Sequence, residues 1–154
     1  MKIIFVCLGN ICRSPMAEVM FSSMIKEAGL DDKVTLDSAA TSTYEIGNAP
    51  DPRTQKTLQK HGLDGSSLRA RQLTRTDLKE ADHVIVMDQN NLKDVTRLAN
   101  DPELAKKVEL AFSLTPGKEN LSVDDPWYTD DFDKTFADLS EALPYWLERI
   151  KKEL

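Results

Sequence analysis

Apolar residues along this chain follow two rhythms. Short unbroken runs alternate with stretches in which apolar positions recur every three or four residues. The first run, "KIIFVC" (residues 2–7), reads as a buried strand. "KVTLDSA" (33–39), "ADHVIVMD" (81–88) and "KVELAFSL" (107–114) predict three more strands. Between them lie helical patterns. Met16, Met20, Met24 and Ala28 repeat at four-residue spacing, with Ser14 as the expected N-cap, Pro15 at the first helical position and Gly29 as the stop. "APDPRTQKTLQKHG" (49–62) predicts a helix capped by Asp51, begun by Pro52 and ended by Gly62. "QNNLKDVTRLA" (89–99) predicts another. From about Phe132 to Leu154 an apolar stripe runs through Phe136, Leu139, Leu143, either Trp146 or Leu147, and Ile150. Pro144 interrupts that stripe and predicts a kink or a later start.

Strands alternating with helices define an α/β chain: an open four-stranded parallel sheet with helices on both faces. The 154 residues suffice for one domain, 1–154, with a substantial core. Ligands of such folds bind beyond the carboxyl ends of the strands. The sequence "VCLGNICRSP" (6–15) lies at one such end.

Charge and cysteine usage narrow the chemistry. A net charge of -6 gives no general attraction for nucleic acid or an anionic membrane, so an anionic substrate needs a local positive site. The run 3–8 is too short for a signal-peptide core or a membrane span, which makes the cytoplasm the default expectation. The two cysteines, Cys7 and Cys12, are no disulfide framework, and with His61 and His83 far away they form no metal site, so no metal or other cofactor is expected.

The loop itself is richly functional. It follows a strand and leads into a helix N-terminus, so backbone N–H groups and the helix dipole can converge on an anion. Gly9 offers conformational freedom, and Asn10 tolerates a left-handed backbone. Arg13 presents a planar fork to two oxygens of a tetrahedral oxyanion. The same field favours the thiolate of Cys7, and the Ser14 hydroxyl can donate to it. A phosphate cradle (Leu8, Gly9, Asn10, Ile11, Cys12, Arg13 and Ser14) around an activated thiol points to phosphoryl transfer through a phosphocysteine. Such a reaction needs a proton for its leaving group. "VDDPWY" (123–128) supplies two acids, Asp124 and Asp125, which side-chain chemistry alone does not separate.

"CLGNICRSPMAE" (7–18) resembles the signature of the low-molecular-weight protein tyrosine phosphatase family. "DSAATSTYEIGNAPDPRT" (37–54), "VMDQNNL" (86–92) and "DDPWY" (124–128) resemble further family segments in the family order. The resemblance implies phosphotyrosine-containing proteins as substrates, a monomer, and inhibition by phosphate-like or vanadate-like oxyanions. It selects Asp125 as general acid. It implies that Asn10 and Ser38 hold the phosphate loop in shape, and that Asp88 orients Arg13, although Asp88 is equally well placed to cap the helix that follows. Tyr44, Trp127 and Tyr128 match aromatic positions at the pocket mouth.

Two positions depart from the family pattern. Leu68 stands where some members carry a histidine that joins the loop-supporting network, so the Asn10–Ser38 link must be completed differently or be weaker. Trp127 replaces the first of two tandem tyrosines, leaving Tyr128 as the phosphorylation candidate there. Cys12 is either a small packed residue or a resolving thiol that protects an oxidised Cys7. Two other functions fit the loop less well. A thioredoxin-linked arsenate reductase needs further cysteines downstream, and none follows Cys12. A non-catalytic phosphotyrosine-binding module has no need of Cys7, Arg13 and Asp125 together.

Overall fold

The computed structural model describes residues 1–154. Four strands, β1 (Lys2–Cys7), β2 (Thr35–Ala40), β3 (His83–Val86) and β4 (Val108–Leu110), form one parallel sheet in the order β2-β1-β3-β4. The chain passes from β1 to β2 on one side and returns to β3 on the other. The order therefore reverses at β1, and Cys7, its last residue, sits at this switch point.

Side-chain alternation along β1 divides the core. Ile3, Phe5 and Cys7 face a layer built from α1 (Arg13–Glu27), α2 (Pro52–Lys60) and α7 (Phe132–Glu153), which contribute Met16, Phe21, Leu58, Leu139 and Trp146. Ile4 and Val6 face α3 (Arg75–Glu80) and α4 (Gln89–Ala99) through Leu78 and Val95. Both faces are covered, which is why the strands read as continuous apolar runs. Two short helices, α5 (Pro102–Ala105) and α6 (Pro126–Thr129), complete the chain.

Four expectations need correction. First, α1 begins at Arg13 with Cys12 at the cap position, and Ser14 is not the N-cap. Its hydroxyl is engaged by Cys7 and Asn10 instead. Pro15 is therefore the third helical residue, where the missing N–H still costs no helical hydrogen bond. Second, β4 stops at Leu110, and residues 111–114 wind into a 3-10 turn whose Ala111 carbonyl accepts from the Trp146 indole at 2.9 Å. Third, α7 runs unbroken from Phe132 through Pro144, which lies on its exposed side. Trp146 takes the fully buried place in the stripe and Leu147 only packs at its margin. Fourth, Gly9 adopts no left-handed conformation. A Cβ there would meet Glu45 and Ile11 at ordinary contact distances, 3.6 and 3.7 Å.

Candidate active site

The loop from Cys7 to Arg13 is shaped by where its carbonyls go. The Cys7 carbonyl accepts from Thr41 N, and that of Leu8 from Ser42 N and the Ser42 hydroxyl. The Ile11 carbonyl accepts from Asp51 N and Thr54 Oγ1. These carbonyls are tied outward to the segments after β2 and at the start of α2. Asn10 turns the chain with φ 58°, the left-handed region that asparagine tolerates. Its amide donates to Cys7 Sγ at 3.3 Å. The amides of Leu8, Gly9, Ile11 and Cys12 have no acceptor within the protein. A run of unpaired N–H groups at the start of a helix is a cradle for an anion.

Arg13 is 1% exposed. Its Nη1 donates to Asp88 at 2.7 Å and to the Val123 carbonyl at 2.8 Å. Its Nη2 lies 3.4 Å from Asp125, and its buried Nε has no partner. One side of the guanidinium is thus anchored, and the Nε–Nη2 edge is left for a ligand. Burial works against the charge of Arg13. Cys7, Asp88 and Asp125 outweigh it and hold the guanidinium above its ordinary range. Asp88 makes two contacts: one oxygen accepts from Asn91 N at 2.7 Å and caps α4, and the other accepts from Arg13 Nη1.

Behind the loop, Asn10 Nδ2 donates to Ser14 Oγ at 2.8 Å and to Ser38 Oγ at 3.0 Å. Ser14 Oγ lies 3.0 Å from Cys7 Sγ. Having accepted from Asn10, the Ser14 hydroxyl is free to donate its own hydrogen to the sulfur.

The mouth is a cavity of about 270 Å³ lined by Cys7, Leu8, Gly9, Ile11, Cys12, Arg13, Tyr44, Glu45, Asp125, Trp127 and Tyr128. Asn10, Ser14, Ser38 and Asp88 stand behind this wall and do not line it. Asp125 caps α6, accepting from Trp127 N at 3.0 Å, while its other oxygen faces Arg13. Asp124 points away to Lys134. Tyr44, Trp127 and Tyr128 form an exposed aromatic rim. Cys12 is buried and free, and burial pushes its thiol up to about 12, with Cys7, Asp51 and Asp125 adding to the effect. It is a thiol, not a thiolate, under ordinary conditions. No group of side chains that could hold a metal ion is present.

Sequence reasoning missed Glu45 on the cavity wall, the Val123 carbonyl on Arg13, and the outward ties from Thr41, Ser42 and Thr54. These contacts join segments distant in sequence, and nothing local marks them.

A thiol at the floor of an oxyanion cradle, with a carboxyl group at its rim, is the arrangement of an enzyme that acts on phosphate esters. The family model for low molecular weight phosphotyrosine protein phosphatase matches residues 2–154. The chain is 46% identical to the rat low molecular weight phosphotyrosine protein phosphatase over 86% of its length and 83% of the relative's. The crystal structure of YfkJ from Bacillus subtilis superposes with a TM-score of 0.95 at 33% identity, covering 99% of this chain and 96% of that one. The Drosophila arginine phosphatase DARP superposes at 0.90 with 29% identity, covering 98% of each chain. The chain belongs to the low molecular weight phosphotyrosine protein phosphatase family.

Proposed function

We propose that this protein hydrolyses aryl phosphate monoesters, phosphotyrosine in proteins above all, through a phosphocysteine on Cys7. The observation that carries the reading is that four residues with unpaired loop amides, Leu8, Gly9, Ile11 and Cys12, line one cavity with Cys7 and with Arg13, whose buried Nε has no partner. The Cys7 thiolate attacks phosphorus while Arg13 and the amides hold the equatorial oxygens, where charge accumulates in the transition state. Asp125 gives its proton to the departing phenolate oxygen. It then takes a proton from the water that breaks the S–P bond, releasing phosphate and the thiolate. The whole chain 1–154 acts as one monomeric unit and uses no metal, because the guanidinium and amides already neutralise the phosphoryl group. Phosphate and vanadate compete for the same cradle. Cytoplasmic residence suits a nucleophile that works only while reduced. No helix is long and apolar enough to cross a membrane.

The aromatic choice rests on the wall. Leu8, Ile11, Tyr44, Trp127 and Tyr128 surround the path to Cys7 and suit a flat ring. The arginine phosphatase among the structural neighbours makes the alternative concrete. Assays with a phosphotyrosine peptide and a phosphoarginine peptide, each with and without orthovanadate, separate the two. Vanadate-sensitive release from phosphotyrosine is expected. Preferential release from phosphoarginine, or none from either, refutes the reading.

Cys12 adds a redox element to the same proposal. Peroxide converts the Cys7 thiolate to a sulfenic acid. Cys12 then displaces water from it, forming a Cys7–Cys12 disulfide that a thiol reductant reopens. Because burial keeps Cys12 protonated, closure is slow at neutral pH and quickens as pH rises. Cys12→Ser is expected to keep activity yet become irreversibly inactivated by peroxide. Full recovery of Cys12→Ser on reduction contradicts this.

A further inference from the structure

The hydrogen-bond chain behind the phosphate loop does not end at Ser38. The Ser38 hydroxyl, having accepted from Asn10, donates to Glu18 Oε1 at 2.6 Å. Glu18 lies one turn along α1 from Ser14, on the same face of that helix. It makes no ion pair. Arg71, whose charge acts on it, is already shared between Asp37 at 2.7 Å and Asp77 at 2.9 Å. The backbone N–H of Arg71 donates to Asn10 Oδ1 at 3.2 Å, which fixes the orientation of the Asn10 amide. Leu68, at the position where some family members carry a histidine, offers no polar atom. It lines a second cavity of about 520 Å³, into which Glu18 also faces.

Each link in this chain has only one workable direction. Asn10 Nδ2 can only donate, so both serine oxygens accept from it. Each serine must then give its own hydrogen elsewhere: Ser38 to Glu18, Ser14 to Cys7. We propose that Glu18 is a positioning residue for the nucleophile. Its carboxylate is the terminal acceptor that keeps the Ser38–Asn10–Ser14 chain aligned so that the Ser14 hydroxyl donates to the Cys7 thiolate. The role rests on Cys7 being the nucleophile proposed above, and it fills the gap left by Leu68.

Glu18 serves the chain as an acceptor, a role that its carbonyl oxygen fills in either protonation state. Burial pushes its carboxyl above the ordinary range and Asp37 adds to this, while the Ser38 hydrogen bond and Arg71 oppose it. The remaining charged groups on the walls of the second cavity are Lys26 of α1 and Asp31 and Asp64 from loops. The cavity gives Glu18 a route to solvent protons.

The test compares Glu18→Ala with Glu18→Gln, whose amide oxygen still accepts from Ser38. Three quantities are measured: the pH dependence of Cys7 alkylation by iodoacetate, kcat and KM for p-nitrophenyl phosphate, and the thermal midpoint. Glu18→Ala is expected to shift half-maximal alkylation to higher pH and to lower kcat roughly tenfold, with KM changed by less than about twofold. Glu18→Gln restores both. Two results overturn the proposal: an alanine variant with wild-type alkylation and kcat, or alanine and glutamine variants equally impaired. Wild-type protein that neither hydrolyses the ester nor is alkylated at Cys7 strikes instead at the nucleophile assignment.

Discussion

Cys7→Ser lowers turnover of an aryl phosphate roughly 10⁴-fold or more, while inorganic phosphate still binds. The cradle that holds phosphate is made of backbone amides and Arg13, none of which the substitution removes. What it removes is an ionisable nucleophile. A serine hydroxyl at that position needs a base to take its proton. The groups in contact with the sulfur, Ser14 and the Asn10 amide, are donors. Cys12 cannot take over, because burial keeps its thiol protonated. Steady-state rates with p-nitrophenyl phosphate, together with phosphate titration by calorimetry, check both halves. Near wild-type hydrolysis by the serine variant sinks the mechanism.

Asp125→Asn lowers kcat for phenyl phosphate by about 10²–10⁴-fold. Asparagine keeps an oxygen to accept from Trp127 N, so the cap of α6 survives and only the proton is lost. The loss is smaller in the cleavage step with p-nitrophenyl phosphate, whose leaving group needs little help. Its hydrolytic step still lacks a base. The check is kcat/KM for the two esters, which reports the cleavage step. An asparagine variant that keeps wild-type kcat/KM for phenyl phosphate means that another group supplies the proton.

How much of this was legible in the sequence depended on distance along the chain. Cys7, Asn10, Arg13 and Ser14 lie in one continuous string, and a strand feeding a helix is enough to bring them together. The hydrophobic rhythm displayed the four strands and the principal helices for the same local reason. The cap rule failed at Ser14 because a hydroxyl that caps helices elsewhere has a better partner here in Cys7 and Asn10. Pro144 misled because a proline on the exposed side of a long, packed helix is carried by its neighbours. Asp124 and Asp125 are adjacent and chemically alike. The turn into α6 separates them, sending one to Lys134 and the other to Arg13. Glu18 carried no functional signal of its own. It acquires one only when β2 brings Ser38 against α1, a pairing that helix periodicity does not display.

A covalent bond between phosphorus and Cys7 is the step on which the proposed hydrolysis depends. Asp125→Ala should form that bond with p-nitrophenyl phosphate and break it slowly, so the intermediate accumulates. Acid quenching during turnover, followed by mass analysis of the intact protein and its N-terminal peptide, reads it directly. The predicted result is one added phosphoryl group, located on Cys7 and lost on incubation at neutral pH. Sustained hydrolysis with no phosphoryl group on Cys7 at any time would contradict it.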